Sequence, residues 1–193
     1  MNMQEQIRNI ISSSIAVKSK LLEDDTLLGA IQRSAEEIVR AFAGGRRVYF
    51  CGNGGSAADA QHLAAEFPGR FYKDRQALPA EALHCNTSYL TAVANDYSYD
   101  EIYARLIRGI GEKGDVLAGL STSGNSGNIV KAFEAARQKG LITIGFTGAG
   151  GGKMKQHSDI LLNVPSSDTP RIQESHILIG HIICQMVEEQ YFK

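Results

Sequence analysis

Five short runs of this chain are mostly apolar, without strict alternation, and the stretches between them repeat with helical spacing. Strands are expected at 47–51, 80–85, 115–120, 141–146 and 159–164. Helices are expected at 56–67, 87–95, 101–109 and 126–139, with a short turn of helix near 152–156 and a last long helix from about 170 to 191. A strand that is apolar on both sides cannot leave one face in water. It belongs to a parallel sheet covered on both faces, with right-handed helical crossovers. The expected fold is therefore α/β: a doubly wound five-stranded parallel sheet flanked by helices. The 193 residues suffice for one domain with a substantial core. Residues 1–43 read as two helices divided at Asp24-Asp25-Thr26. Ile7, Ile10, Ile11, Val17 and Leu21 line the first, and Leu28, Ile31, Ala35, Ile38 and Phe42 the second. With no sheet position of their own, these helices are candidates for packing between subunits.

Ligands of such sheets bind beyond the carboxyl ends of the strands. That rule brings together loops around Gly52 to Ser56, Asn86 to Ser88, Asn95-Asp96, Ser121 to Ser126, and Thr147 to Gly152, all rich in Gly, Asn, Ser or Thr. The fourth is the most pointed. The run Leu117-Ala118-Gly119-Leu120 ends in Ser121-Thr122-Ser123-Gly124-Asn125-Ser126, and an amphipathic helix follows. Helix-start N–H groups surrounded by hydroxyls bind phosphate without basic residues. One hydroxyl suffices to cap a helix, and four stand here within six residues. A phosphorylated small molecule is the expected ligand.

With 20 basic and 21 acidic residues, the net charge of -1 gives no electrostatic footprint for nucleic acid or an anionic membrane. No apolar run approaches the ~20 residues of a membrane span, and the start Met1-Asn2-Met3-Gln4 lacks the regions of a signal peptide. Cys51, Cys85 and Cys184 are odd in number, far apart and set in apolar surroundings, so they read as reduced core residues. A cytoplasmic protein is expected.

Several constellations could carry chemistry. Cys51-Gly52-Asn53-Gly54-Gly55-Ser56-Ala57 follows a strand and opens a helix, as a dinucleotide fingerprint does. The acidic residue that such a site needs at the end of the second strand is missing, since that strand ends His84-Cys85-Asn86. The glycines more simply let backbone approach a ligand, with Asn53 and Ser56 offering hydrogen bonds. No P-loop motif is present. His62 and Glu66 share one helix face at i and i+4. The last helix sets Gln173, Glu174, His176 and His181 among isoleucines, and polar groups there must find partners. His62, His176 and His181 thus fall on two helices expected to bracket the sheet, while His84 and His157 read as structural. Imidazole and carboxylate together suit either a divalent metal or paired acid–base groups, and both stay open at this point.

These residues resemble the SIS (sugar isomerase) domain family and, along the whole chain, its phosphoheptose isomerase branch. The likeness rests on Cys51-Gly52-Asn53-Gly54-Gly55-Ser56, His62-Leu63-Ala64-Ala65-Glu66, Ala94-Asn95-Asp96, the 121–126 loop, and Arg171-Ile172-Gln173-Glu174-Ser175-His176 followed by His181. The resemblance implies conversion of sedoheptulose 7-phosphate to D-glycero-D-manno-heptose 7-phosphate, the entry to ADP-heptose for lipopolysaccharide or other surface glycans. It also implies a homotetramer with active sites between subunits, and one zinc ion per subunit on His62, Glu66, Gln173 and His181. The substrate positions it implies are Asn53, Gly54, Gly55, Ser56, Glu66, Asn95, Asp96, Ser121, Thr122, Ser123, Ser126 and Gln173. One departure is visible: the place where some relatives carry an aspartate is Pro170 here, with Asp168 two residues earlier.

Ketose–aldose isomerisation needs a base between C1 and C2 and an acid at the two oxygens of a cis-enediol, roles expected of Glu66 and His181. One geometric constraint is independent of family. Gln173 and His181 are eight residues apart, about 12 Å of rise on one straight helix, whereas metal–ligand bonds measure about 2 Å. At a single ion they are expected to come from different subunits, or from a distorted helix. The rival reading is a SIS-type binding module without catalysis, which would not require both Glu66 and His181. A second rival is an isomerase acting on pentose or hexose phosphates.

Overall fold

The computed structural model describes residues 2–193. Two helices, α1 (Met3–Leu22) and α2 (Asp25–Ala43), precede an alternating series: β1 (Val48–Gly52), α3 (Gly55–Glu66), β2 (Ala80–Ala82), α4 (Thr87–Asp96), α5 (Ile102–Ile110), β3 (Val116–Leu120), α6 (Gly127–Lys139), β4 (Ile142–Thr147), β5 (Ile160–Asn163) and α7 (Thr169–Tyr191). Short 3₁₀ turns lie at Tyr99–Glu101 and Lys153–His157. The sheet is parallel throughout, in the order β2-β1-β3-β4-β5. The winding direction reverses between β1 and β3, and a crevice opens at such a switch point. Gly52 is level with Leu120, and Leu120 with Phe146. The loops after β1, β3 and β4 therefore leave the sheet side by side.

Alternation along each strand supplies two cores. Phe50, Ala118, Ile144 and Phe146 point to a layer built by α2, α3 and α7, through Ile31, Ile38, Leu63, Phe67, Ile179 and Ile183. Tyr49, Cys51 and Leu117 face α5 and α6, through Ile102, Ile107, Ile129 and Phe133. The helices that carry His62 and His181 consequently share one face of the sheet rather than bracketing it. They run side by side in the same direction, because Gly55 abuts Gln173 while Leu63 abuts Gly180.

The two N-terminal helices differ. Asp24 caps α2 by accepting from the Leu27 N–H at 3.0 Å. From there α2 buries Leu27, Ala30, Ile31, Ala35, Ile38 and Phe42, so it is part of the core of the chain. In α1 only Leu21 is buried. Polar seams tie α1 to the start of α7. Arg171 donates to the Ile10 carbonyl at 2.9 Å, and Ser14 donates to Glu174 at 2.6 Å.

Two other expectations are corrected. The strand expected at 80–85 stops at Ala82, because after the Leu83 N–H bonds the Phe50 carbonyl the chain turns away from the sheet edge. Cys85 is thereby exposed, whereas Cys51 and Cys184 are buried, and burial pushes both of those thiols up.

Candidate active site

The loop after β3 is a cage of hydroxyls. Ser121 Oγ lies 2.9 Å from Ser126 Oγ and 3.5 Å from Ser123 Oγ, and Ser123 Oγ accepts from the Asn125 N–H at 3.1 Å. Ser126 occupies the N-cap position of α6 but makes no capping hydrogen bond. Its hydroxyl joins the cage instead, which leaves the first N–H groups of α6 for a ligand. The loop after β4 braces the cage, with the Met154 N–H donating to the Gly124 carbonyl and the Gly148 N–H to the Thr122 carbonyl, at 2.9 and 3.0 Å. Beside it opens a cleft of about 250 Å³ lined by Thr122, Ser123, Gly148, Ser166, Ser167 and Thr169. The last three were not singled out from sequence. The polar run just ahead of the last helix was the available signal.

β1 ends at Gly52, whose carbonyl accepts from the buried Tyr103 hydroxyl at 2.6 Å. Asn53 follows, and its amide is largely engaged. It donates to Asn128 Oδ1 at 2.9 Å, while its own Oδ1 accepts from Asn128 Nδ2 at 2.8 Å and from the Tyr99 hydroxyl at 3.1 Å. Both acceptor positions of Asn53 Oδ1 are used, so the side chain retains one N–H for a ligand. Asn128 was missed, although a polar residue at a buried position in the first turn of α6 was a legible sign. Gly54 and Gly55 are exposed, and Ser56 is buried in the first turn of α3.

On the far end of α3 stands the cluster. His62 Nε2 is 3.1 Å from Glu66 Oε1 and 3.0 Å from His181 Nε2. Ligand atoms of the three residues all lie within 4.8 Å of one another. A tetrahedral ion with bonds of about 2.0–2.1 Å holds its ligand atoms roughly 3.3 Å apart. The two spacings from His62 are close to that, so the three side chains fit a divalent cation once they adjust around it. The helix geometry explains the convergence. His62 and Glu66 are one turn apart on α3, and Gly180 admits the Leu63 side chain so closely that His181 on α7 is brought beside them. A Cβ at Gly180 would stand 3.0 Å from Leu63 Cγ and closer still to both its methyl groups.

Gln173 is elsewhere. Its side chain crosses the start of α3, where a Cβ on Gly55 would come within 2.7 Å of Nε2. The helix from Thr169 to Tyr191 is continuous, so about 12 Å of rise separates Gln173 from His181. Within one chain the cluster therefore contains His62, Glu66 and His181 without Gln173. His176 is also apart. It is fully buried against the Phe146 ring, with Nε2 3.2 Å from the Thr147 carbonyl. Asn95 and Asp96 form the last turn of α4 rather than a loop, both exposed, with Asn95 donating to Asp96 at 2.9 Å. Pro170 falls in the first turn of α7, where a proline is readily accommodated, and Asp168 precedes it at the N-cap position.

The chain is similar to known proteins over nearly its whole length. The SIS domain model matches residues 11–148. Phosphoheptose isomerase of Aneurinibacillus thermoaerophilus is 51% identical over 191 residues, covering 99% of this chain and 96% of that protein. Phosphoheptose isomerase 2 of Campylobacter jejuni is 50% identical over 191 residues, covering 99% and 95%. The solved phosphoheptose isomerase of Neisseria gonorrhoeae superposes with a TM-score of 0.91 at 40% identity, over 97% of this chain and all of that one. The chain belongs to the SIS domain family and, within it, to the phosphoheptose isomerases.

Proposed function

We propose that the chain interconverts sedoheptulose 7-phosphate and D-glycero-D-manno-heptose 7-phosphate through a cis-enediol, in the cytoplasm, for ADP-heptose and the surface glycans built from it. The observation that carries the reading is the meeting of Glu66 with His62 and His181, which a sugar-phosphate binding module has no use for. The hydroxyl cage and the first N–H groups of α6 take the distal phosphate, so the length of the sugar decides which carbons reach the cluster. Glu66 removes the proton from C1 and returns it at C2. His181 carries protons between the two oxygens. The Glu66 side chain keeps 23% of its surface in solvent, enough for a substrate to approach.

His62, Glu66 and His181 would hold the metal, and zinc suits this nitrogen and oxygen donor set. When bound, it supplies Lewis-acid polarisation at the sugar oxygens. Gln173 would complete the set only from a neighbouring subunit, given the length of regular helix between it and His181. A homotetramer with active sites shared between subunits meets that requirement.

Incubation of metal-free and zinc-loaded protein with sedoheptulose 7-phosphate in heavy water tests the reading. The expected result is an aldose product carrying deuterium at C2, with Glu66→Gln losing nearly all turnover while binding substrate within a few fold of wild type. Absence of product from both preparations would overturn the isomerase reading, and near-normal turnover of Glu66→Gln would remove that residue as the base.

A further inference from the structure

Two helices carry the cluster, and a buried ion pair just beyond it joins them. Arg75 lies nine residues past the end of α3, on the segment that returns toward the sheet. Its Nη2 donates to the Glu66 carbonyl at 2.8 Å, and its Nη1 to the carbonyls of Phe67 at 2.5 Å and Gly69 at 3.2 Å. No basic residue stands in the last turn of α3 itself. One guanidinium thus satisfies the carbonyls of the last helical residue, Glu66, and of the C-cap, Phe67. Its Nε donates to Glu188 of α7 at 2.9 Å, and the two side chains are 4% and 3% exposed.

Glu188 accepts three more bonds, from the backbone N–H groups of Phe71 at 3.2 Å, Tyr72 at 2.8 Å and Lys73 at 2.6 Å. It lies seven residues beyond His181, two helical turns on and so on the same face of α7. The segment it holds sets the Phe71 ring against the His181 ring, with centroids 5.6 Å apart. The pair therefore reaches the cluster by two routes: through the backbone of Glu66, and through Phe71 to the imidazole of His181.

A buried ion pair is a weak stabiliser, since removing two charges from water consumes most of their attraction, and apolar replacements are often as stable. What four donors on one carboxylate and four carbonyls on one guanidinium, the Gln76 carbonyl at 3.2 Å among them, do supply is direction. Resting on the isomerase reading above, we propose that Arg75 and Glu188 are positioning residues of the active site, setting the distance and facing of the His62–Glu66 turn relative to His181.

The test compares full-length wild type with Arg75→Lys, Glu188→Gln and Glu188→Asp. Ile107→Ala, a cavity variant in the opposite core layer, serves as a control for lost stability. Three quantities are read: thermal midpoint, kcat against KM for sedoheptulose 7-phosphate, and Co2+ binding with its visible absorption spectrum. Arg75→Lys and Glu188→Gln are expected to lower kcat and Co2+ affinity at least tenfold with KM within about twofold. Glu188→Asp, which keeps the charge but shortens the reach, should fold and remain impaired; it decides the matter if Glu188→Gln does not fold. Ile107→Ala should lower the midpoint while leaving kcat and the Co2+ spectrum unchanged. Wild-type kcat and Co2+ affinity in the pair variants, or an equal loss in Ile107→Ala, would overturn the proposal. A wild type that binds Co2+ but yields no heptose product would instead refute the isomerase reading alone.

Discussion

Histidine illustrates how differently one residue type is used along a single helix. His181 meets His62 at the surface, whereas His176, five residues earlier, is sealed in the core. Because a carbonyl only accepts, the Thr147 contact requires His176 to carry its proton on Nε2. Nδ1 is then a lone pair that meets no partner among the described residues. Burial drives the His176 pKa down to about 4, so the ring is neutral when folded and takes a proton readily once unfolded. The linkage has a definite sign: the unfolded chain binds more protons between the ordinary histidine value and about 4, so stability is complete above that window and falls as the pH drops through it. The shift corresponds to about 3 kcal/mol across the window. Denaturant titrations from pH 7 to pH 4.5 should show this loss in wild type and a much smaller one in His176→Gln. Parallel curves would show that the imidazole does not govern acid sensitivity. In sequence His176 and His181 looked alike. Only their neighbours across the helix interface tell them apart.

At the scale of elements, the site is a matter of how closely α3 and α7 lie. Gly180 has ordinary helical backbone, so its value is the space where a side chain would be. Gly180→Ala would press a methyl group into Leu63, at a cost of about 1–3 kcal/mol if the helices separate to relieve it. That separation acts directly on the 3.0 Å contact between His181 and His62. A lower melting temperature is expected together with a fall in kcat, measured well below the melting temperature, that exceeds any change in KM. Unchanged kcat in a destabilised Gly180→Ala protein would mean that the cluster tolerates a wider helix pair. The existence and order of these helices were legible from periodicity, and the hydroxyl cage from composition alone. The pairing of α3 with α7 was not: both are amphipathic, and amphipathicity says only that a face is covered.

For the whole molecule, α1 is the unresolved surplus of apolar surface. Ile7, Ile11 and Ile15 follow one another at i, i+4 and i+8 and are 50%, 54% and 59% exposed. The homotetramer proposed above needs a contact surface, and this stripe is the surface expected to supply it. Replacing Ile11 and Ile15 together by Asp is expected to yield a smaller assembly by light scattering. It should also weaken zinc retention, because in the site proposed above Gln173 completes the cluster only from another subunit. An assembly of unchanged mass would place the subunit contacts elsewhere. The sequence by itself determined the parallel sheet, since largely apolar strands joined by helical crossovers permit little else, and it determined the hydroxyl cluster after β3, since hydroxyls crowded at a helix start come together locally. Tertiary structure alone decided that Asn53 is engaged by Asn128, that Gln173 stands apart from His181, and that Arg75 and Glu188 clamp the two helices. Each of these depends on contacts between segments distant in the chain, which spacing along one element does not encode.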